Sequence, residues 1–237
     1  MYTKSAIIGL LALTGNTFAA PITDATLVQR ETFKGTAFKG DGSAKAGWPT
    51  DSKWVTFDKM WSTNKPKIGC PAGTTKNSAA ETDNIKAGIQ SVAKSSGVDQ
   101  RFILAVIMQE SHGCLRVGAT ASPGAGVNNP GIMQSHNGQH NCPASGACGK
   151  DIITGMIADG TTGTKDGSGL KQLQEKAATV TGSKEKAQLA YWAARYYNSG
   201  ENSIKKGSPL EIDTVDQPGA TPSYSSDIAN RLIGFSD

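Results

Sequence analysis

One helix constrains this chain more than any other stretch. From Gly97 to Ser111 the residues are apolar on nearly all sides between Phe102 and Met108. A helix with no polar stripe has to lie at the centre of a packing of other elements. Beyond Asp99 at its start, its one carboxylate is Glu110, at the C-terminal end. Burial there disfavours the charged form, and the negative pole of the helix disfavours it again. A carboxyl group that keeps its proton near neutral pH is what a glycosidic bond requires of a general acid.

The other elements arrange themselves around that helix. The chain has 237 residues, enough for one good-sized domain with an extension. Residues 1–19 read as a secretory signal, with Lys4 as the positive start, Ala6 to Leu13 as the apolar core and Thr17-Phe18-Ala19 as the cleavage site. That core is too short to span a bilayer, so a secreted, extracellular protein is expected. Residues 20–50 are polar and rich in Gly, Lys and Thr, the composition of a flexible leader or propeptide. Residues 51–81 form an N-terminal extension. The aromatics Trp48, Trp54, Phe57 and Trp61 are expected to pack against the helices rather than stack on sugars. Residues 82–237 make the main domain. Thr82 or Asp83 can cap a helix to about Ser95 with Ile85, Ile89 and Val92 on one face, and Gly97 ends it. Further helices are expected at 150–159, 168–180, 184–198 and 223–233. Strand patterns are scarce, so the fold class is mainly α. The segment 112–150, rich in Gly, Pro, Asn and Ser, is a long loop of the kind that carries function.

Four cysteines, Cys70, Cys114, Cys142 and Cys148, follow the signal. An even count in an exported chain favours two disulfides. Three pairings exist; Cys70–Cys114 with Cys142–Cys148 is preferred, because the latter two are close within a Gly/Pro-rich loop. The run His136-x3-His140-x-Cys142-x5-Cys148 has zinc-like ligands, but export argues for the disulfide and no metal or other cofactor is expected. The net charge is +4, or +3 once a signal carrying Lys4 is removed. That mild excess suits an anionic polymer. The lysines are scattered rather than clustered with aromatics, which argues against nucleic acid. A monomer with no membrane partner is expected.

Four pieces then line up in order: Gln109-Glu110-Ser111; Pro130-Gly131-Ile132-Met133-Gln134; Tyr196-Tyr197-Asn198-Ser199-Gly200; and a closing helix from Tyr224 to Leu232. Glu-Ser by itself is common; the ordered set is specific. It resembles the soluble lytic transglycosylase (SLT) and goose-type lysozyme family, glycoside hydrolase family 23, over about residues 82–235. The resemblance implies a helical lysozyme-like domain with a cleft for peptidoglycan or a related N-acetylated polysaccharide. It implies that Glu110 protonates the glycosidic oxygen and that the hydroxyl of Ser111 bonds substrate. Met133 and Gln134 would wall the cleft. Tyr197 would bond and orient the carboxyl, and Asn198 would bind sugar or backbone. Asn128-Asn129-Pro130 and Ile132 depart from the family's usual small residues and Leu, and the Cys142–Cys148 loop is an addition.

A second carboxylate separates hydrolases from transglycosylases. Between Ser111 and Lys150 there is no Asp or Glu. His136 stands two residues after Met133-Gln134, where goose-type lysozymes carry an aspartate. Lytic transglycosylases use one glutamate and the substrate's own N-acetyl group, and the gap leans that way. Asp151, Asp159, Asp166 or Glu201 could still fold into the cleft, and His136 could serve as a base. Peptidoglycan is the expected polymer. Chitin or chitosan cleavage and non-catalytic glycan binding are the alternatives, the last disfavoured because a binder has no need of Glu110.

Overall fold

A computed structural model describes residues 35–122, 126–204, 210 and 220–236. The expected secretory signal and residues 20–34 lie outside them. The described part is mainly helical, with seven α-helices and one two-stranded sheet. No helix among the described residues is long and apolar enough to cross a membrane.

The first helix, α1 (Phe57–Asn64), is capped by Thr56, whose hydroxyl accepts from the Lys59 amide. It turns Phe57, Met60 and Trp61 into the core. Helix α2 (Ala79–Ser96) begins earlier than the sequence suggests. Its cap is Ser78, which forms a capping box with Glu81 and satisfies two otherwise unpaired donors. Gly97 closes it in the left-handed conformation, φ 79°, with its amide on the Ala93 carbonyl. Gly88 lets α2 approach α4 (Lys150–Thr162) closely; a Cβ there would stand 2.8 Å from Ile157.

Helix α3 (Gln100–Ser111) runs through the middle. Every side chain from Phe102 to Met108 is fully buried, and α1, α2 and α7 (Tyr224–Leu232) pack around it. Each large aliphatic chain buried there contributes roughly 1.5–3 kcal/mol. Helices α5 (Leu170–Thr181) and α6 (Lys186–Ser199) pack on each other, and α6 also packs on α7. The long loop after α3 carries a short hairpin, β1 (Thr120–Ser122) with β2 (Val127–Asn129), antiparallel in the register Thr120 to Asn129 and Ser122 to Val127.

The disulfides are Cys70–Cys114 and Cys142–Cys148. With both thiols of the second pair bonded, the zinc reading of His136, His140, Cys142 and Cys148 falls. A buried ion pair holds the small loop that this second bridge closes. Arg116 donates to Glu81 at 2.6 Å, and Glu81 also accepts from the Cys148 amide at 2.7 Å.

The expected flexible leader differs from the structure over residues 35–50, which are bound to the domain. The indole of Trp192 donates to the Asp41 carbonyl at 2.8 Å, and that of Trp48 to the Lys39 carbonyl at 2.7 Å. The hydroxyl of Tyr191 donates to the Pro49 carbonyl at 2.8 Å. Polar composition concealed this docking because it runs mostly through backbone carbonyls, which every residue type carries. Trp48, Trp54, Phe57 and Trp61 are all buried in the core, so they pack against the helices as expected.

Candidate active site

Glu110 lies in the last turn of α3, half-buried. Asp99 caps the start of that helix and pairs with Arg101 and Lys186. Burial opposes its charge, but the two cations outweigh it and hold the Asp99 carboxyl at about 2. His112, in the left-handed conformation at φ 50°, ends the helix with its amide on the Met108 carbonyl.

The phenol that meets Glu110 is that of Tyr224, the first residue of α7, whose hydroxyl donates to Oε1. This corrects the role expected for Tyr197. The hydroxyl of Tyr197 donates instead to the Met133 carbonyl at 2.8 Å. Tyr197 is nonetheless a neighbour of the carboxylate. Burial and then the charge of Glu110 push its pKa well above that of a free phenol, Ser135 draws it back in part, and Asp159 adds to the rise.

The remaining motif residues hold the site together from behind. The hydroxyl of Ser111 is buried, donates to the Ile132 carbonyl at 2.7 Å and accepts from the Gly113 amide at 3.1 Å. It therefore ties the end of α3 to the turn 131–134, whereas a sugar-binding hydroxyl would face the cleft. Met133 is fully buried, with its side chain against Gly160 of α4. Its contribution to the neighbourhood of Glu110 is its backbone carbonyl, which accepts from Tyr197. Gln134, at φ 48°, reaches the β1 end of the hairpin, accepting from the Thr120 amide at 3.1 Å and donating to the Gly118 carbonyl at 3.2 Å. Asn198 accepts from the Thr221 amide at 2.7 Å and from Arg195.

Arg195 is a site component that sequence reasoning missed. It is fully buried on α6 and donates to the carbonyls of Thr221 and Pro222 at 2.9 and 3.1 Å. Burial lowers its pKa to about 10, an effect that Tyr224 and Asp227 offset in part. Asn198 and Arg195 thus fix the turn from which Tyr224 enters α7. On the neighbouring turn, Gln109 donates to Asp227 at 3.3 Å and accepts from Arg231 at 2.9 Å. Polar residues at 224, 227 and 231 fall on one face of a helix, and that spacing was the signal available for them.

Three of the other candidate acids have partners of their own, and the fourth, Asp151, is exposed. Asp159 accepts the amides of Gln139 and His140 at 2.8 and 2.9 Å and stands 3.0 Å from Nδ1 of His140. Glu201 pairs with Lys176 at 3.1 Å, and a bond from Ser168, then Lys176, lowers its pKa against the effect of burial. Asp166 stands 3.6 Å from Lys165, and Asp151 is exposed at the start of α4. His136 is exposed, lies over Gly167 and accepts at its carbonyl from Thr164 at 2.8 Å. Among the described residues no three His, Cys, Asp or Glu side chains gather as metal ligands.

No protein-family model, no curated protein and no solved structure matches this chain.

Proposed function

We propose that this chain is an exported muramidase of lysozyme-like fold. It cleaves the β-1,4 bond between N-acetylmuramic acid and N-acetylglucosamine in peptidoglycan with Glu110 as its acid. The observation that carries this reading is the bond from Tyr224 to Glu110, reached through contacts that join every motif of the family resemblance. Ser111 is bonded to Ile132, Met133 to Tyr197, and Asn198 to Thr221. These bonds join residues far apart in sequence around one carboxylate, which Tyr224 meets directly, as an acid held in a fixed orientation requires.

In this mechanism Glu110 donates its proton to the glycosidic oxygen as the bond to the anomeric carbon breaks, and the leaving sugar departs as an alcohol. The neighbouring N-acetyl oxygen stabilises the positive centre. The Glu110 carboxylate, now holding the bond from Tyr224, takes the proton of the C6 hydroxyl as that oxygen closes on the anomeric carbon, giving an anhydro sugar. Asp159 is held by the Gln139 and His140 amides and lies beside the His140 ring, so it is engaged in the loop 136–140, which supports the single-glutamate route over one with a second acid. Two disulfides suit an oxidising compartment, which supports export.

Glu110→Gln removes the transferable proton while keeping size and shape. Loss of wall clearing by at least about a thousandfold, with unchanged thermal unfolding, is expected. Retained clearing in that variant would refute the assignment. Mass spectrometry of the digest reads the route, since an anhydro product is lighter than a hydrolysed one by one water. Release of chitin oligomers without wall products would move the substrate.

A further inference from the structure

Helix α7 has two working faces. One carries Tyr224, Asp227 and Arg231 towards α3 and Glu110. The other carries Ser226 and Asn230, one turn apart and about 200–240° round the helix from Tyr224. Both are almost fully buried, at 4% and 3% exposure.

These two side chains grip the backbone of residues 35–38. Asn230 accepts from the Thr36 amide at 2.9 Å and donates to the Thr36 carbonyl at 2.8 Å, as the edge of a strand would. Ser226 accepts from the Phe38 amide at 2.7 Å and donates to the Thr36 carbonyl at 3.1 Å. The second hydrogen of the Asn230 amide goes to the Ser226 carbonyl at 2.8 Å, so the side chain is fully engaged. Gly35 is required by contact: a Cβ there would lie 2.5 Å from Cγ of Asn230. Beyond the grip, Phe38 packs on Trp48 with ring centres 5.4 Å apart.

A helix of nine residues is too short to be stable alone, and Ser223 makes no side-chain cap bond at its start. Its position comes from what packs on either side. We propose that residues 35–38 are a positioning clamp: they press on the back of α7 and so hold Tyr224 against Glu110. The clamp is part of the working molecule and not a discarded leader. The proposal rests on Glu110 being the acid of the reaction.

The test uses full-length Gly35→Val and Thr36→Pro. The first puts a side chain into the Asn230 carboxamide, and the second deletes the amide that Asn230 accepts. Thr36→Ala is the control, because all three of these bonds to Thr36 are made by its backbone. Three readouts are taken: hydrogen exchange of the α7 amides, the NMR titration of the Glu110 carboxyl, and kcat and KM on peptidoglycan. Gly35→Val and Thr36→Pro should speed α7 exchange by roughly tenfold or more. They should move the Glu110 titration towards that of Tyr224→Phe and lower kcat by roughly 10- to 100-fold with little change in KM. Thr36→Ala should change none of these.

Unchanged exchange in both strap variants overturns the clamp. So does faster exchange with an unmoved Glu110 titration, since the strap would then hold the helix without setting the site. An equal effect of Thr36→Ala overturns it too. If exchange and titration respond as expected but no form of the protein cleaves peptidoglycan, the clamp stands and the muramidase reading fails.

Discussion

At the scale of single residues, the site depends on which phenol meets which oxygen. Tyr197 and Tyr224 both stand near Glu110, but it is Tyr224 that bonds its carboxyl, whereas Tyr197 bonds the Met133 carbonyl. Tyr224→Phe should therefore lower kcat on peptidoglycan by roughly 10- to 100-fold with KM nearly unchanged, since it removes orientation and charge stabilisation but little volume. Steady-state kinetics of the two Tyr→Phe variants side by side checks this; an equal or larger kcat loss in Tyr197→Phe would reverse the two roles. Glu110 as the candidate acid was legible in the sequence, because an apolar helix ending in Glu-Ser leaves one carboxylate at its C-terminal end to choose. The role of Tyr224 was not legible: a tyrosine opening a helix reads alike whether its hydroxyl meets water, a carbonyl or a carboxylate.

At the scale of elements, the buried pair between Glu81 and Arg116 joins α2 to the Cys142–Cys148 loop. The bond from Arg116 is the largest influence on Glu81. With help from the Ser78 and Cys148 amides it outweighs burial and lowers the Glu81 pKa from 4.5 to about 2. A depressed carboxyl pKa contributes stability that is fully present above the unfolded value and lost as pH falls through the folded one. Roughly 3 kcal/mol should therefore disappear between about pH 5 and pH 2. Denaturant unfolding across that window should show a flatter pH dependence in Glu81→Gln, starting about 3–5 kcal/mol lower at neutral pH because Arg116 is left buried and unpaired. The capping box at Ser78 and Glu81 follows the Ser-x-x-Glu pattern that sequence can show. The partner Arg116, 35 residues away, became visible only when the loop folded back.

For the whole molecule, the two disulfides close loops of different span, with sequence separations of 44 and 6. Chain-entropy reasoning assigns about 4 kcal/mol to the longer and about 2 kcal/mol to the shorter. Replacing Cys70 and Cys114 with alanine should thus destabilise the protein about twice as much as replacing Cys142 and Cys148. Equilibrium unfolding of the two double variants tests the order. The longer bridge joins the segment before α2 to the loop after α3, so its removal should also lower activity more.

Helical class, the buried middle of α3, the aromatic extension and the candidate acid follow from sequence alone, because each depends on apolar periodicity or on one residue at a helix end. Tertiary structure alone decided the docking of residues 35–50, the pairing of Tyr224 with Glu110, and the backbone bonds of Ser111 and Asn198. These are contacts between residues far apart in the chain, and many end on backbone atoms. A backbone carbonyl or amide carries no residue identity, so no pattern of side chains announces which polar group will meet it.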